Sequence, residues 1–273
     1  MMMQNPYQQE IKKIKRRIWW SSAIALVLCL VVLFFSFPVT YEIMGVSYLD
    51  ADPALPWPIS LLLILLILFV QLIVLAVAIS PSETSLTVEC NPEKYLALNQ
   101  EIGNKAQKTN ALAVGSFYMG NYQTSAQYAA MLAKSSNKHG VAAAYFTLAC
   151  NCFFLKDAAG FANATTIFRQ MTPTVSAKPK FAALYQKRGM ALTFMEALQN
   201  GNKEVLQSYQ TLTPWVANKP TEGFIHYLQA LCALALEETD QAKYHFLWVK
   251  NECPKLCLAT YAATHLERLT TKE

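Results

Sequence analysis

The chain has 273 residues, of which 53% are hydrophobic and only 15% charged, with a formal net charge of +5. Average soluble chains carry about 25% charged residues, so part of this chain is built for a medium other than water. Past the apolar runs the basic excess is mild and forms no clustered face, which leaves nucleic acid out of the expected partners.

The charge depletion is local. Residues 18–41 carry no charge, and neither do residues 53–82. A basic cluster, Lys12, Lys13, Lys15, Arg16 and Arg17, stands just before the first apolar run, opposed only by Glu10. A hydrocarbon core of about 30 Å needs about 20 helical residues. The runs at about 18–38 and 57–80 meet that length, and only an internally bonded helix suits an isolated run in lipid. Trp19, Trp20 and Trp57 stand at the boundaries, where amphipathic rings favour the interface. The first run is longer than a signal-peptide core and ends in Phe34, Phe35, Ser36, Phe37 and Pro38, with no small-residue cleavage pattern. Two retained transmembrane helices are therefore expected.

Lys/Arg asymmetry sets their direction. Residues 1–17 form a basic cytoplasmic segment, whereas the connecting loop carries Glu42, Asp50 and Asp52 and no Lys or Arg. The loop, with Pro53, Pro56 and Pro58, is expected outside as a connector. The N-terminus and everything after a linker at 82–91 are then expected in the cytoplasm, beneath a plasma membrane of bacterial type. Gln71 offers a hydrogen bond to the first helix or to a second copy of the chain, which would make a homo-oligomer through these helices. No Asp, Glu, Lys, Arg or His lies inside either run, which argues against a lone transporter or channel.

From Pro92 to the end, apolar residues recur at three- and four-residue steps between short Gly, Asn, Pro or Asp breaks. The pattern predicts helices at 92–102, 105–119, 122–135, 139–155, 157–171, 178–199, 203–212, 220–237, 239–251 and 255–269. The expected fold is all-α, a transmembrane helical hairpin followed by an α-solenoid of antiparallel helix pairs.

Pro173, Pro214 and Pro254 follow successive helical pairs at spacings of 41 and 40 residues. In the last unit, Ala230, Ala242, Phe246 and Pro254 fall at the small, small, aromatic and proline positions of a tetratricopeptide repeat. Leu148, Ala149 and Pro173 correspond in an earlier unit, and Gly120, Asn121 and Tyr122 match the interhelix turn. Over about residues 106–254 the chain resembles that family. Thr109 replaces the early aromatic of the first unit, and Asn200, Gly201 and Asn202 fall where the third unit should carry a small residue. The resemblance implies hairpins that bury their apolar faces only by stacking, and a concave face that binds a protein or peptide partner. It places Asn110, Phe117, Phe146, Phe153, Lys187, Phe194 and Tyr227 on that face. The competing reading makes these rings ordinary core, since aromatic stripes at helical spacing usually are. The basic-and-Asn arrangement with which some members hold a terminal carboxylate is not reproduced.

The seven cysteines follow no disulfide spacing and read as reduced thiols. Cys253 and Cys257, Cys150 and Cys152, and the scattered His139, His226, His245 and His265 fall short of a metal-ligand pattern. No nucleotide, metalloprotease or nucleophile-elbow motif is present. No cofactor and no enzymatic activity are expected. The sequence points to a membrane-tethered protein–protein interaction scaffold, with an accessory or regulatory subunit of a membrane enzyme or transporter as the second reading.

Overall fold

In the computed structural model, residues 6–36, 40–43, 46–49, 57–177 and 179–271 are described. The chain divides into two compact units, Met1–Pro81 and Ser82–Glu273.

The first unit holds α1 (Gln8–Ser36), strands β1 (Thr40–Ile43) and β2 (Val46–Leu49), and most of α2 (Trp57–Thr87). α1 and α2 are each long and apolar enough to cross a membrane. Only 6% of the most apolar window of each is buried. Large apolar side chains point outward instead: Trp19 is 63% exposed, Leu62 67% and Leu72 65%. Exposed apolar surface of that extent marks a membrane or partner contact. Gln71 on α2 donates from Nε2 to Ser22 Oγ on α1 at 3.0 Å, and to Ser21 Oγ at 3.4 Å. Within the chain, Gln71 thus makes the contact to the first helix that the sequence offered.

Several boundaries differ from the expected ones. The basic cluster is not a separate segment, because α1 begins at Gln8 and carries all five cations on its first turns. The connecting loop contains an antiparallel pair, with Thr40 opposite Leu49 and Ile43 opposite Val46. The β-branched and aromatic content of Thr40–Ile43 and Val46–Leu49 favours strand. Pro38, Pro53 and Pro56 lie outside the described residues. Pro58 sits in the first turn of α2, where a missing amide proton costs nothing.

Pro81 does not end α2, which runs on to Thr87 through much of the expected linker. A proline in a helix leaves the carbonyl four residues earlier without its donor. Here that carbonyl belongs to Val77, and Ser80 Oγ donates to it at 2.9 Å. The preceding serine thus supplies the hydrogen bond that Pro81 removes.

In the second unit the helices fall close to the predicted ranges. They are α3 (Pro92–Ile102), α4 (Lys105–Tyr118), α5 (Tyr122–Leu132), α6 (Lys138–Phe154), α7 (Ala158–Val175) and α8 (Pro179–Asn200). After them come α9 (Lys203–Leu206), a 3-10 turn (Tyr209–Thr211), α10 (Lys219–Ala235), α11 (Thr239–Glu252) and α12 (Cys257–Thr270). Asn91, Asn104, Asn137, Asp157, Asn202 and Asn218 cap six of these helices, each accepting a backbone N–H near the helix start. Such caps satisfy donors that the helix itself leaves free. Gln107 completes a capping box with Asn104.

Consecutive helices pack in pairs, α4 with α5, α6 with α7, and α10 with α11. α8 has no full-length second helix, because the third pair continues only as the single turn α9 and the 3-10 turn. Four turns share one construction. Gly120, Lys156, Gly201 and Glu237 adopt left-handed φ of +82°, +58°, +65° and +67°. The next amide in each turn then reaches back to a carbonyl five residues earlier, at 2.9 Å: Asn121 to Ser116, Asp157 to Cys152, Asn202 to Ala197 and Glu238 to Ala233. This is the Schellman closure of a helix C-terminus. Pro173, expected to end a helix, lies inside α7.

Ala230, Ala242 and Phe246 are fully buried at the crossing of α10 and α11. Small residues there let the two helices approach and leave room for the ring. Contacts also join the first pair to the last. Phe117 on α4 and Phe224 on α10 have ring centroids 5.7 Å apart. Tyr122 Oη lies 3.5 Å from Cys257 Sγ at the start of α12. A Cβ on Gly120 would meet Cys257 Cβ at 3.1 Å, so the α4–α5 turn sits against α12. An open stack touches only sequence neighbours; this unit closes on itself.

Candidate functional site

Closure turns the inner face of the helix pairs into a cavity of about 370 Å³. The first helix of each pair contributes to its wall: Asn110 and Phe117 from α4, Phe146 and Thr147 from α6, Arg188 from α8, Thr221 and Phe224 from α10. Trp215 and Asn218 enter from the segment before α10, and Glu83 and Tyr95 from the beginning of the unit.

The apolar wall is aromatic. Trp215 meets Phe146 edge-to-face at 4.9 Å and Phe224 at 5.5 Å, so one indole bridges rings from α6 and α10. Arg188 is the one cation among the lining residues. Its Cζ lies 5.2 Å from the Phe146 centroid and 5.8 Å from that of Tyr185. Cation–π contact of this kind offsets part of the lost hydration.

Among the described residues the guanidinium has no ion pair. The residue retains some exposure, but its Nε is sealed from solvent and has no hydrogen-bond partner. Burial holds its pKa below the usual arginine value, though an arginine stays charged in any protein. Buried charges are normally paired, because an unpaired one loses its hydration without return.

Two other polar side chains of the wall have partners within the protein. Asn218 accepts from the Thr221 amide at 3.0 Å. Thr147 Oγ1 donates to Ala143 O at 3.0 Å. Of the lining side chains, Arg188 is the one whose polar atom is sealed from solvent without a hydrogen-bond partner.

The positions expected on a concave face divide. Asn110 is exposed and lines the cavity, and Phe117 and Phe146 line it from within the core. Phe153 and Tyr227 line a second, shallower depression with Lys156 and Leu231. Phe194 is only 3% exposed and belongs to the core. Lys187 points elsewhere, donating from Nζ to Pro214 O at 3.0 Å. Phe117, Phe146, Phe194 and Tyr227 are all buried, so truncating Phe117 or Phe194 removes core. Each such loss costs about 3–5 kcal/mol, which makes these rings unsuitable as simple contact probes.

Arg188 carried no signal in the sequence. It stands beside Lys187 in α8, and only the packing shows that it faces inward without an ion pair among the described residues. Elsewhere, His226 Nδ1 and His245 Nδ1 meet at 2.8 Å across α10 and α11, with His226 stacked on Trp248 at 4.1 Å. Among the described residues no three His, Cys, Asp or Glu side chains gather to hold a metal ion. No protein-family model, no curated protein and no solved structure matches the chain.

Proposed function

We propose that the chain is a membrane-tethered interaction module, in which α1 and α2 cross the bilayer as a hairpin and hold a tetratricopeptide-like helical domain at the cytoplasmic face. The observation that carries this reading is the pair of long helices with their large apolar side chains turned outward. The five cations on the first turns of α1 support a cytoplasmic N-terminus, and two spans return the domain to the same side. Four pairs with one turn construction, their first helices around one cavity, support a partner held at that inner face. Tethering raises the effective concentration of such a module near other membrane proteins.

Crosslinking in native membranes followed by purification tests the reading. The expected product is a protein or peptide joined to the helical domain. A stoichiometric membrane subunit that co-purifies through α1 and α2 alone would replace this reading with that of an accessory subunit. Release of the whole chain by alkaline carbonate would remove the membrane from it altogether.

A further inference from the structure

We propose that the Arg188 cavity binds a carboxylate carried on an aromatic or aliphatic group. The inference rests on the reading above only in taking this cavity as the place where a ligand sits; it does not depend on the membrane. Three observations carry it.

The first is the unused donor capacity of Arg188. The guanidinium presents donors in a planar fork that matches a carboxylate two bonds at a time. Its Nε is enclosed without a partner, and the protein offers it only the faces of Phe146 and Tyr185. Glu83, the acidic side chain in the lining, is exposed, and no ion pair joins it to Arg188 among the described residues.

The second is the charge of the site. A single cation suits a single negative charge. A phosphate dianion would call for a second Lys or Arg, and the lining holds none. The third is the wall. Phe146, Trp215 and Phe224 form a continuous apolar surface beside the guanidinium, and a volume of about 370 Å³ suits a small organic acid or one terminal residue.

A carboxylate of this kind has two sources, a free small acid or the end of a peptide. The experiment uses the full chain in detergent micelles and isothermal titration. The probes are 3-phenylpropionate and its neutral amide, and an N-acetylated tripeptide ending in phenylalanine, as the free acid and as the C-terminal amide. At least one acid is expected to bind about tenfold or more tightly than its amide, as charge-assisted hydrogen bonds imply. Whichever acid binds names the source. Arg188→Met should abolish the preference while the circular dichroism spectrum stays that of the parent. Arg188→Gln, which keeps a donor but no charge, should retain only a small part of it. Acid and amide binding alike, no binding of either acid up to about 10 mM, or an acid preference surviving in Arg188→Met would each overturn the proposal. None of these outcomes bears on membrane attachment, and carbonate release of the chain would not bear on Arg188.

Discussion

Cys90 Sγ and Cys253 Sγ share a hydrogen bond at 3.6 Å, joining residues 163 positions apart in sequence. Cys90 ends the turn after α2, and Cys253 caps α11, so this contact fastens the beginning of the helical domain to its last pair. Hydrogen bonding to Cys253 lowers the pKa of Cys90, whereas that bond and burial raise that of Cys253. Diamide should therefore couple these two thiols, with Cys90 as the attacking thiolate, and digestion should yield a linked 90–253 peptide. A cross-link over so long a loop should stabilise the domain by about 2–4 kcal/mol, read as a higher urea midpoint. Cys253→Ser should abolish the linked peptide. Free alkylation of both thiols after diamide and denaturation would show that the two are not held together.

A buried polar chain fixes the register of α4, α5 and α6. Asn151 on α6 donates to Ser125 Oγ on α5 at 2.9 Å, and Ser125 donates to Ala113 O on α4 at 2.7 Å. Both side chains are fully buried. Ser125→Ala strands the Asn151 amide and a carbonyl, with an expected loss of about 1–3 kcal/mol in urea unfolding. Ser125→Ala combined with Asn151→Leu should recover part of that loss. An unchanged midpoint in Ser125→Ala would remove the chain from the account.

The paired histidines predict acid sensitivity. Burial, reinforced by the charge of His245, holds His226 down to about 4, and burial also lowers His245. In the unfolded chain a histidine titrates near 6.5. Below that pH the unfolded state takes up protons that the folded state refuses. Stability is thus complete above about pH 6.5 and falls as the pH drops towards 4, by on the order of 1–2 kcal/mol after solvent screening. Urea midpoints measured at about pH 7.5 and 5 check the direction, and His226→Phe should flatten the difference. A midpoint that rises on acidification would contradict it.

Lys156 and Glu237 hold left-handed turns that Gly120 and Gly201 occupy without a side-chain penalty. Lys156→Gly should remove that strain and, after the greater freedom of the unfolded chain is subtracted, stabilise the domain by about 0.5–1 kcal/mol. Gly201→Val should destabilise for the converse reason. Thermal melts of both variants test the shared turn.

The helix ranges were legible in the sequence because six of the helices begin at an Asn or Asp cap and most end at a short polar turn. The spacing of the helix pairs was harder to place. The prolines suggested spacings of 41 and 40 residues, but the turns at Gly120, Lys156, Gly201 and Glu237 lie 36, 45 and 36 residues apart. Counting from the turns leaves Asn110, Phe146 and Tyr227 equivalent, and replaces Lys187 and Phe194 by Ala191 and Leu198. The slip was confined to the third pair, where α8 is long and its partner shrinks to a single turn. Closure of the domain was not legible at all. It depends on contacts such as Cys90 with Cys253 and Phe117 with Phe224, which no periodicity encodes. Arg188 was missed for the same reason, since the absence of a counter-ion is a property of packing.

Protease protection on sealed right-side-out vesicles tests the tethered account most directly. With a C-terminal epitope, the account predicts a domain that survives external protease and is digested only after the vesicles are opened, from a chain that carbonate leaves in the pellet. Digestion of the epitope in sealed vesicles, or a chain recovered in the carbonate supernatant, would contradict it.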